Sequence, residues 1–167
     1  GGGAPQFNRA IAGGYPNGST FKAITALAAV DKGLITPDTP IKDRGVLKAG
    51  ETMLVLGAAG GVGVAAIELG KALGARVIGA VSSEEKAAFA KAAGADATVI
   101  YPPGAFAKDQ SKALAESFKQ VTGGGADVVY DAVGGDYCEP ALRAMNWNSR
   151  YLVIGFPAGI PTPPLNL

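Results

Sequence analysis

A chain of 167 residues is long enough for one domain with a real core, and 48% apolar residues exclude intrinsic disorder. A formal net charge of +1 points to neither nucleic acid nor an anionic membrane surface, and no apolar run approaches the ~20 residues of a membrane span. Zero histidines and one cysteine, Cys138, exclude an internal disulfide, leave no set of zinc ligands and fit a reducing, cytoplasmic setting. The opening GGGAPQF has neither the basic nor the apolar region of a secretory leader, so none is expected.

In chain order, residues 4–50 hold one helical pattern, about Ser19–Lys32, ended by Gly33. Thr36–Pro40 breaks it, and a turn at Lys48–Gly50 leads into five short, continuous apolar runs. These predict strands at Met53–Leu56, Arg76–Val81, Ala97–Tyr101, Asp127–Asp131 and Tyr151–Phe156, as expected of parallel strands buried on both faces. Helices are predicted between them at Val62–Leu73, Ser83–Ala93, Gln110–Thr122 and about Cys138–Met145. Gly74, Gly94 and Gly123 each stop a helix, as left-handed C-terminal caps do. Repeated β-α-β units of this length predict an α/β fold, a Rossmann-like doubly wound parallel sheet of about five strands, with an extra N-terminal helix. Prolines in PAGIPTPPLNL argue against a further regular element after Phe156.

The glycine-rich turn Gly57–Gly63 sits between the first strand and the first helix of this series. There a dinucleotide's pyrophosphate rests on a helix N-terminus, provided the backbone turns tightly, approaches the phosphate and lets helix and strand pack closely. Gly60 and Gly63 suit the last two demands, while the first position of the G-x-G-x-x-G pattern falls on Ala58, with Gly57 just before it. The second strand ends in Ala80-Val81-Ser82-Ser83, with no carboxylate before Glu84 to bond a ribose 2′-OH. Ser82, Ser83 and Lys86 offer two hydroxyls and a positive charge instead, which favours a 2′-phosphate and therefore NADP(H) over NAD(H). The plainer reading makes Ser83 a helix cap and Lys86 a solvated lysine.

The stretch RGVLKAGETMLVLGAAGGVGVAAIELGKALGARVIGAVSSEEK, with Val99-Ile100-Tyr101, VVYDAVGG at 128–135 and LVIGF at 152–156, resembles the coenzyme domain of medium-chain dehydrogenase/reductases. Within them it is most similar to the zinc-free, NADPH-dependent quinone oxidoreductase (zeta-crystallin-like) branch. The resemblance covers residues 43–167 and implies the strand order 3-2-1-4-5. It implies that the Gly61 and Val62 amides face the pyrophosphate and that Ser82, Lys86 and Tyr101 surround the 2′-phosphate. Val133 and Gly134 would then line the ribose and nicotinamide path, with Phe156 nearby. Asp131 has a plainer role open to it, bonding backbone within its own loop. The family carries a separate N-terminal catalytic domain that residues 1–42 do not resemble, and its coenzyme domain continues past residue 167. The expectation is thus a truncated coenzyme domain that binds cofactor without efficient turnover. Strand 151–156 would be left as an exposed edge through which the chain forms a homo-oligomer.

Residues 7–39, FNRAIAGGYPNGSTFKAITALAAVDKGLITPDT, resemble instead the active-site segment of class B penicillin-binding proteins. On that likeness Ser19 would be the acylated nucleophile and Lys22 its basic partner, on one helical face at i, i+3. Asn17 and Ala23 depart from the family's prolines, and the sequence has neither the S-x-N nor the K-T-G element that this chemistry uses. Catalysis is therefore not expected at Ser19. Two unrelated resemblances meeting near Pro40–Asp43 imply a recombined or engineered chimera, and the alternative to cofactor binding is such a chimeric fold with no ligand. The 1–42 helix would pack on the sheet through Phe21, Ile24, Leu27, Ala28 and Val30.

Overall fold

The apolar run TMLVL forms strand β1, Thr52–Leu56, and four more strands follow in the pattern that the alternating composition demands. The computed structural model describes residues 47–104 and 107–160, which belong to the compact unit Arg44–Asn166. The expected helix Ser19–Lys32, with Ser19 and Lys22, lies outside the described residues.

After β1 come α1 (Gly61–Ala72), β2 (Arg76–Val81), α2 (Glu84–Ala92), β3 (Ala97–Ile100), α3 (Lys108–Thr122), β4 (Ala126–Asp131), a 3-10 turn (Gly135–Tyr137), α4 (Cys138–Arg143) and β5 (Met145–Val153). The five strands are parallel and ordered β3-β2-β1-β4-β5, the order expected from the resemblance. The three helix-stopping glycines take positive φ, +80° at Gly74, +110° at Gly94 and +82° at Gly123. Alternation along β1 divides the core between the two faces of the sheet. Met53 and Val55 join Val77 and Val128 under Ala66 and Ile67 of α1 and Ala87 and Ala90 of α2. Leu54 and Leu56 join Ile78 and Val129 under Leu114 and Phe118 of α3 and Ala141 of α4. Phe118 is fully buried. Phe118→Ala is expected to cost about 3–5 kcal/mol, read from the denaturant midpoint; a loss below about 1 kcal/mol would show that α3 does not anchor this face.

The last strand departs from its expected bounds at both ends. The helix stops at Arg143 because the Ala144 carbonyl accepts from Ala126 N (2.8 Å) and opens the ladder with β4. Ala126 pairs with Met145, but Val128 pairs with Arg150, so residues 146–149 bulge from the edge, with Asn148 at φ +60° and Trp147 86% exposed. Beyond Val153 the N–H groups of Ile154 and Gly155 both turn onto the Asp131 carbonyl (2.8 and 3.2 Å), which carries Phe156 out of the strand.

Asp96, between α2 and β3, ties the α1 side to the sheet. Burial pushes its carboxyl up. Hydrogen bonds from Lys71 Nζ (2.7 and 2.8 Å) and from Val77 N (2.7 Å), with the charges of Lys71 and Arg76, outweigh that and hold it below the ordinary carboxylate range. A folded pKa below the unfolded one contributes stability that is complete above about pH 4 and lost as pH falls through the folded value. The Lys71 and Asp96 side chains are 39% and 35% exposed, so the ion pair contributes only ~0.2–1 kcal/mol after screening. Unfolding midpoints measured from pH 7 to 2 are expected to fall less steeply in Asp96→Asn than in the wild type below pH ~4. Parallel profiles would remove Asp96 from the acid response.

Candidate functional site

The C-terminal ends of β1, β2 and β4 come level, Leu56 pairing with Ala80 on one side and Asp131 on the other. In a sheet of this order the connections leave β1 and β4 on opposite faces, which opens a crevice between their ends.

The turn after β1 is built by Gly57, at φ +72°, a conformation that side chains rarely adopt. Its N–H and that of Ala58 both donate to the Ala80 carbonyl (3.1 Å each), and Gly60 N donates back to Gly57 O (3.0 Å). Ala58 is fully buried and its methyl packs over Gly79, so this residue shapes the turn through the core and has its N–H already engaged. Gly60 is the N-cap of α1, no side chain caps the helix, and its first turn holds no acidic residue. The leading N–H groups, Gly61 and Val62 among them, have no intrahelical acceptor, and the positive end of the helix dipole is not neutralised. A Cβ on Gly61 would meet nothing within 4 Å, so open space lies beside this end. A Cβ on Gly63 would lie 2.3 Å from Gly57 O and 2.8 Å from Ala58 Cα, which is the close helix–strand contact that only glycine allows.

At the end of β2, Lys86 Nζ donates to Ser82 Oγ at 2.9 Å, joining the two residues into one polar cluster. Ser83 serves as the N-cap of α2, its Oγ accepting from Lys86 N at 3.3 Å, and Glu84 and Glu85 occupy that helix's first turn. The two helices thus begin in opposite ways, α2 capped and with acids in place, α1 bare.

Tyr101, one residue past β3, is 7% exposed and its ring centroid lies 4.6 Å from that of Tyr137. Burial, with the neighbouring Tyr137 and Asp131, pushes its hydroxyl up to about 12 against a backbone hydrogen bond from Gly57. Neither Ser82 nor Lys86 bonds the Tyr101 hydroxyl.

At the end of β4, Asp131 is fully buried. Its Oδ1 accepts from the N–H groups of Val133 and Gly134 (2.8 Å each), and its Oδ2 accepts from Tyr151 Oη of β5 (2.6 Å). Gly134, at φ +71°, packs so tightly on the segment after β5 that a Cβ there would lie 2.6 Å from Phe156 Cβ and from Gly159 O. Ala158 N donates to Val133 O (2.9 Å) and Gly135 N to Gly159 O (2.8 Å), so the 132–135 and 154–159 loops form one ledge. Val133, Gly134 and Phe156 therefore come together. Tyr151 was not singled out from the sequence. Its one signal was a hydroxyl within an otherwise apolar run, which on burial must find a partner. Burial first, and then Asp131 and Cys138, push its phenol well above the ordinary tyrosine range.

Residues 61–167 match the family described as zinc-binding dehydrogenase, and residues 3–58 match that described as penicillin binding protein transpeptidase domain. The chain belongs to the zinc-binding dehydrogenase family. It is 37% identical to mouse prostaglandin reductase-3 over 123 residues, 74% of this chain and 30% of that protein. It is 36% identical over 155 residues to the quinone oxidoreductase-like protein 2 homolog of Nematostella vectensis, 91% of this chain and 39% of that one. Among solved structures, Escherichia coli quinone oxidoreductase complexed with NADPH superposes with a TM-score of 0.61 at 35% identity, over 72% of this chain and 35% of that one. A mycobacterial protein complexed with NADPH superposes with a TM-score of 0.61 at 32% identity, over 80% and 38%. The chain spans about a third of the length of the curated relatives it matches, 30% and 39% in these two.

The donor set does not fit the zinc in the family's description. The sequence has no histidine, and burial pushes the thiol of Cys138 up to about 11, far from the thiolate that zinc takes. Among the described residues no three His, Cys, Asp or Glu side chains group where an ion could be held, and no helix is long and apolar enough to cross a membrane.

Proposed function

We propose that residues 43–167 are the NADP(H)-binding part of a quinone oxidoreductase-like reductase. The observation that carries this reading is the pair of unlike helix starts. The bare, glycine-lined start of α1 suits a pyrophosphate, and the Ser82–Lys86 cluster one strand over suits a 2′-phosphate. In this reading Gly60, Gly61, Val62 and Gly63 receive the pyrophosphate. The hydroxyl and ammonium of Ser82 and Lys86 receive the 2′-phosphate, and Val133, Gly134 and Phe156 border the nicotinamide half. The NADPH complexes of two structural relatives support it. Bound NADPH would supply a hydride; the residues named here bind and orient the carrier. Hydride transfer also needs a substrate held against the nicotinamide, and positioning contributes roughly 7–11 kcal/mol to such a step. For this chain by itself we expect binding with little quinone reduction. A ligand at a hundred times its Kd stabilises by about 2.7 kcal/mol, so NADPH is expected to raise the unfolding midpoint clearly. An unchanged midpoint at millimolar NADPH would count against the reading.

We also place the join of the two resemblances near residues 40–43 and infer that β5, at the sheet edge, is where two copies associate. Sedimentation at rising concentration is expected to show a dimer, and a monomer throughout would remove that inference. The transpeptidase match carries a second reading, acylation of Ser19. With no S-x-N or K-T-G element in the sequence, labelled penicillin is expected to leave the intact mass unchanged. A mass increase that Ser19→Ala abolishes would contradict this.

A further inference from the structure

We propose that Tyr151 is a positioning residue for the nicotinamide half of the cofactor, acting through Asp131 on the Val133–Gly134 loop; the inference rests on the cofactor reading above. The sheet order fixes which half lies where. With the pyrophosphate at the start of α1 and the adenosine ribose beside β2, the other nucleotide extends across the crevice toward β4. At the end of β4 one carboxylate takes two successive N–H groups of the loop, beside the bonds that Val133 O and Gly135 N make to the 154–159 segment. Asp131 Oδ1 takes the N–H groups of Val133 and Gly134, and the Asp131 carbonyl takes those of Ile154 and Gly155. One side chain and its own backbone thereby join both loops of the ledge. Oδ2 is left with Tyr151 Oη, at 2.6 Å, from the neighbouring strand.

That last bond fixes the plane of the carboxylate. A buried carboxylate with an open oxygen can rotate about its side chain or draw in water, and either change tilts the Oδ1 lone pairs away from two adjacent backbone N–H groups. Gly134 has little freedom to follow, because its backbone is already in contact with Phe156 and Gly159. Loss of the Tyr151 hydroxyl therefore weakens the bonds from Val133 and Gly134 to Oδ1, which the loop cannot follow, and loosens the loop. The glycine turn and the Ser82–Lys86 cluster make no hydrogen bond to Tyr151. The consequence is a residue that affects one half of the ligand and not the other, which a purely structural role would not do.

The test compares Tyr151→Phe with wild type against two probes, NADPH and adenosine 2′,5′-bisphosphate, which carries the 2′-phosphate and no nicotinamide. The expected result is a loss of at least tenfold in NADPH affinity with less than a twofold change for the bisphosphate, and a smaller enhancement of bound NADPH fluorescence. Equal losses for both probes, or none, would overturn the inference and leave the cofactor reading standing. Wild type that binds neither probe would overturn the cofactor reading, and this inference with it. Should Tyr151→Phe fail to fold, proton exchange of the Tyr151 hydroxyl in the wild type, followed by NMR, decides the matter. NADPH is expected to slow that exchange beyond what the bisphosphate does, and identical protection by both would overturn the inference.

Discussion

Gly63→Val is expected to cost the domain its packing, and Gly60→Val only its ligand. The two glycines lie three residues apart in one turn, yet their surroundings differ in kind. At Gly63 the new Cβ would sit 2.3 Å from the Gly57 oxygen and 2.8 Å from Ala58 Cα, both backbone atoms that no rotamer change can move. Helix α1 would have to lift from β1, pulling its own Ala66 and Ile67 away from Met53, Val55 and Val77 of the sheet. Overpacking usually costs 1–3 kcal/mol, and a backbone clash belongs at or above the top of that range, so a loss of about 3 kcal/mol or more is expected. Against a total of 5–15 kcal/mol that is severe. At Gly60 the nearest atom to a new Cβ is Gly57 O at an ordinary 3.4 Å, and φ −80° with ψ 161° is extended backbone that valine accepts. Stability should change by no more than about 1 kcal/mol. The valine branches would occupy the approach to the bare helix end, and NADPH affinity should fall at least a hundredfold, about 2.7 kcal/mol. Denaturant unfolding and calorimetry on the two variants check both halves. A Gly63→Val protein as stable as wild type would show that the contact is not tight, and a Gly60→Val protein that still binds would move the site elsewhere.

Lys86→Ala is expected to separate NADPH from NADH. The ammonium is exposed and held 2.9 Å from Ser82 Oγ, so it is prepositioned at little cost in side-chain entropy. A hydrogen bond to a charged group contributes about 1.5–3 kcal/mol, which predicts a roughly 10- to 150-fold loss for NADPH. NADH has no 2′-phosphate and should lose less than about twofold, within the scatter of surface substitutions. The NADPH effect should shrink as salt rises, since the site is open to solvent. Equal losses for the two cofactors would remove the 2′-phosphate assignment.

Much of this was legible in the sequence because parallel strands buried on both faces leave continuous apolar runs, and because the turns between them are punctuated by glycine. The strand order required more than periodicity; the resemblance supplied it. The departure of Ala58 from the glycine pattern has a local explanation. Gly57 makes the left-handed turn one residue early, and the Ala58 methyl fills the space over Gly79. The end of β5 was not legible, because Tyr151–Phe156 reads as one apolar run and the bonds that end it come from Asp131, more than twenty residues earlier. Trp147 looks like a core residue and stands on a bulge instead. The Asp131–Tyr151 bond spans two neighbouring strands, and no local pattern announces such a pair.

The most direct measurement is a calorimetric titration of the wild-type chain with NADPH and, in parallel, NADH. Saturable binding of NADPH with NADH at least tenfold weaker is the predicted result. No heat with either, from protein shown to unfold cooperatively, would contradict the account.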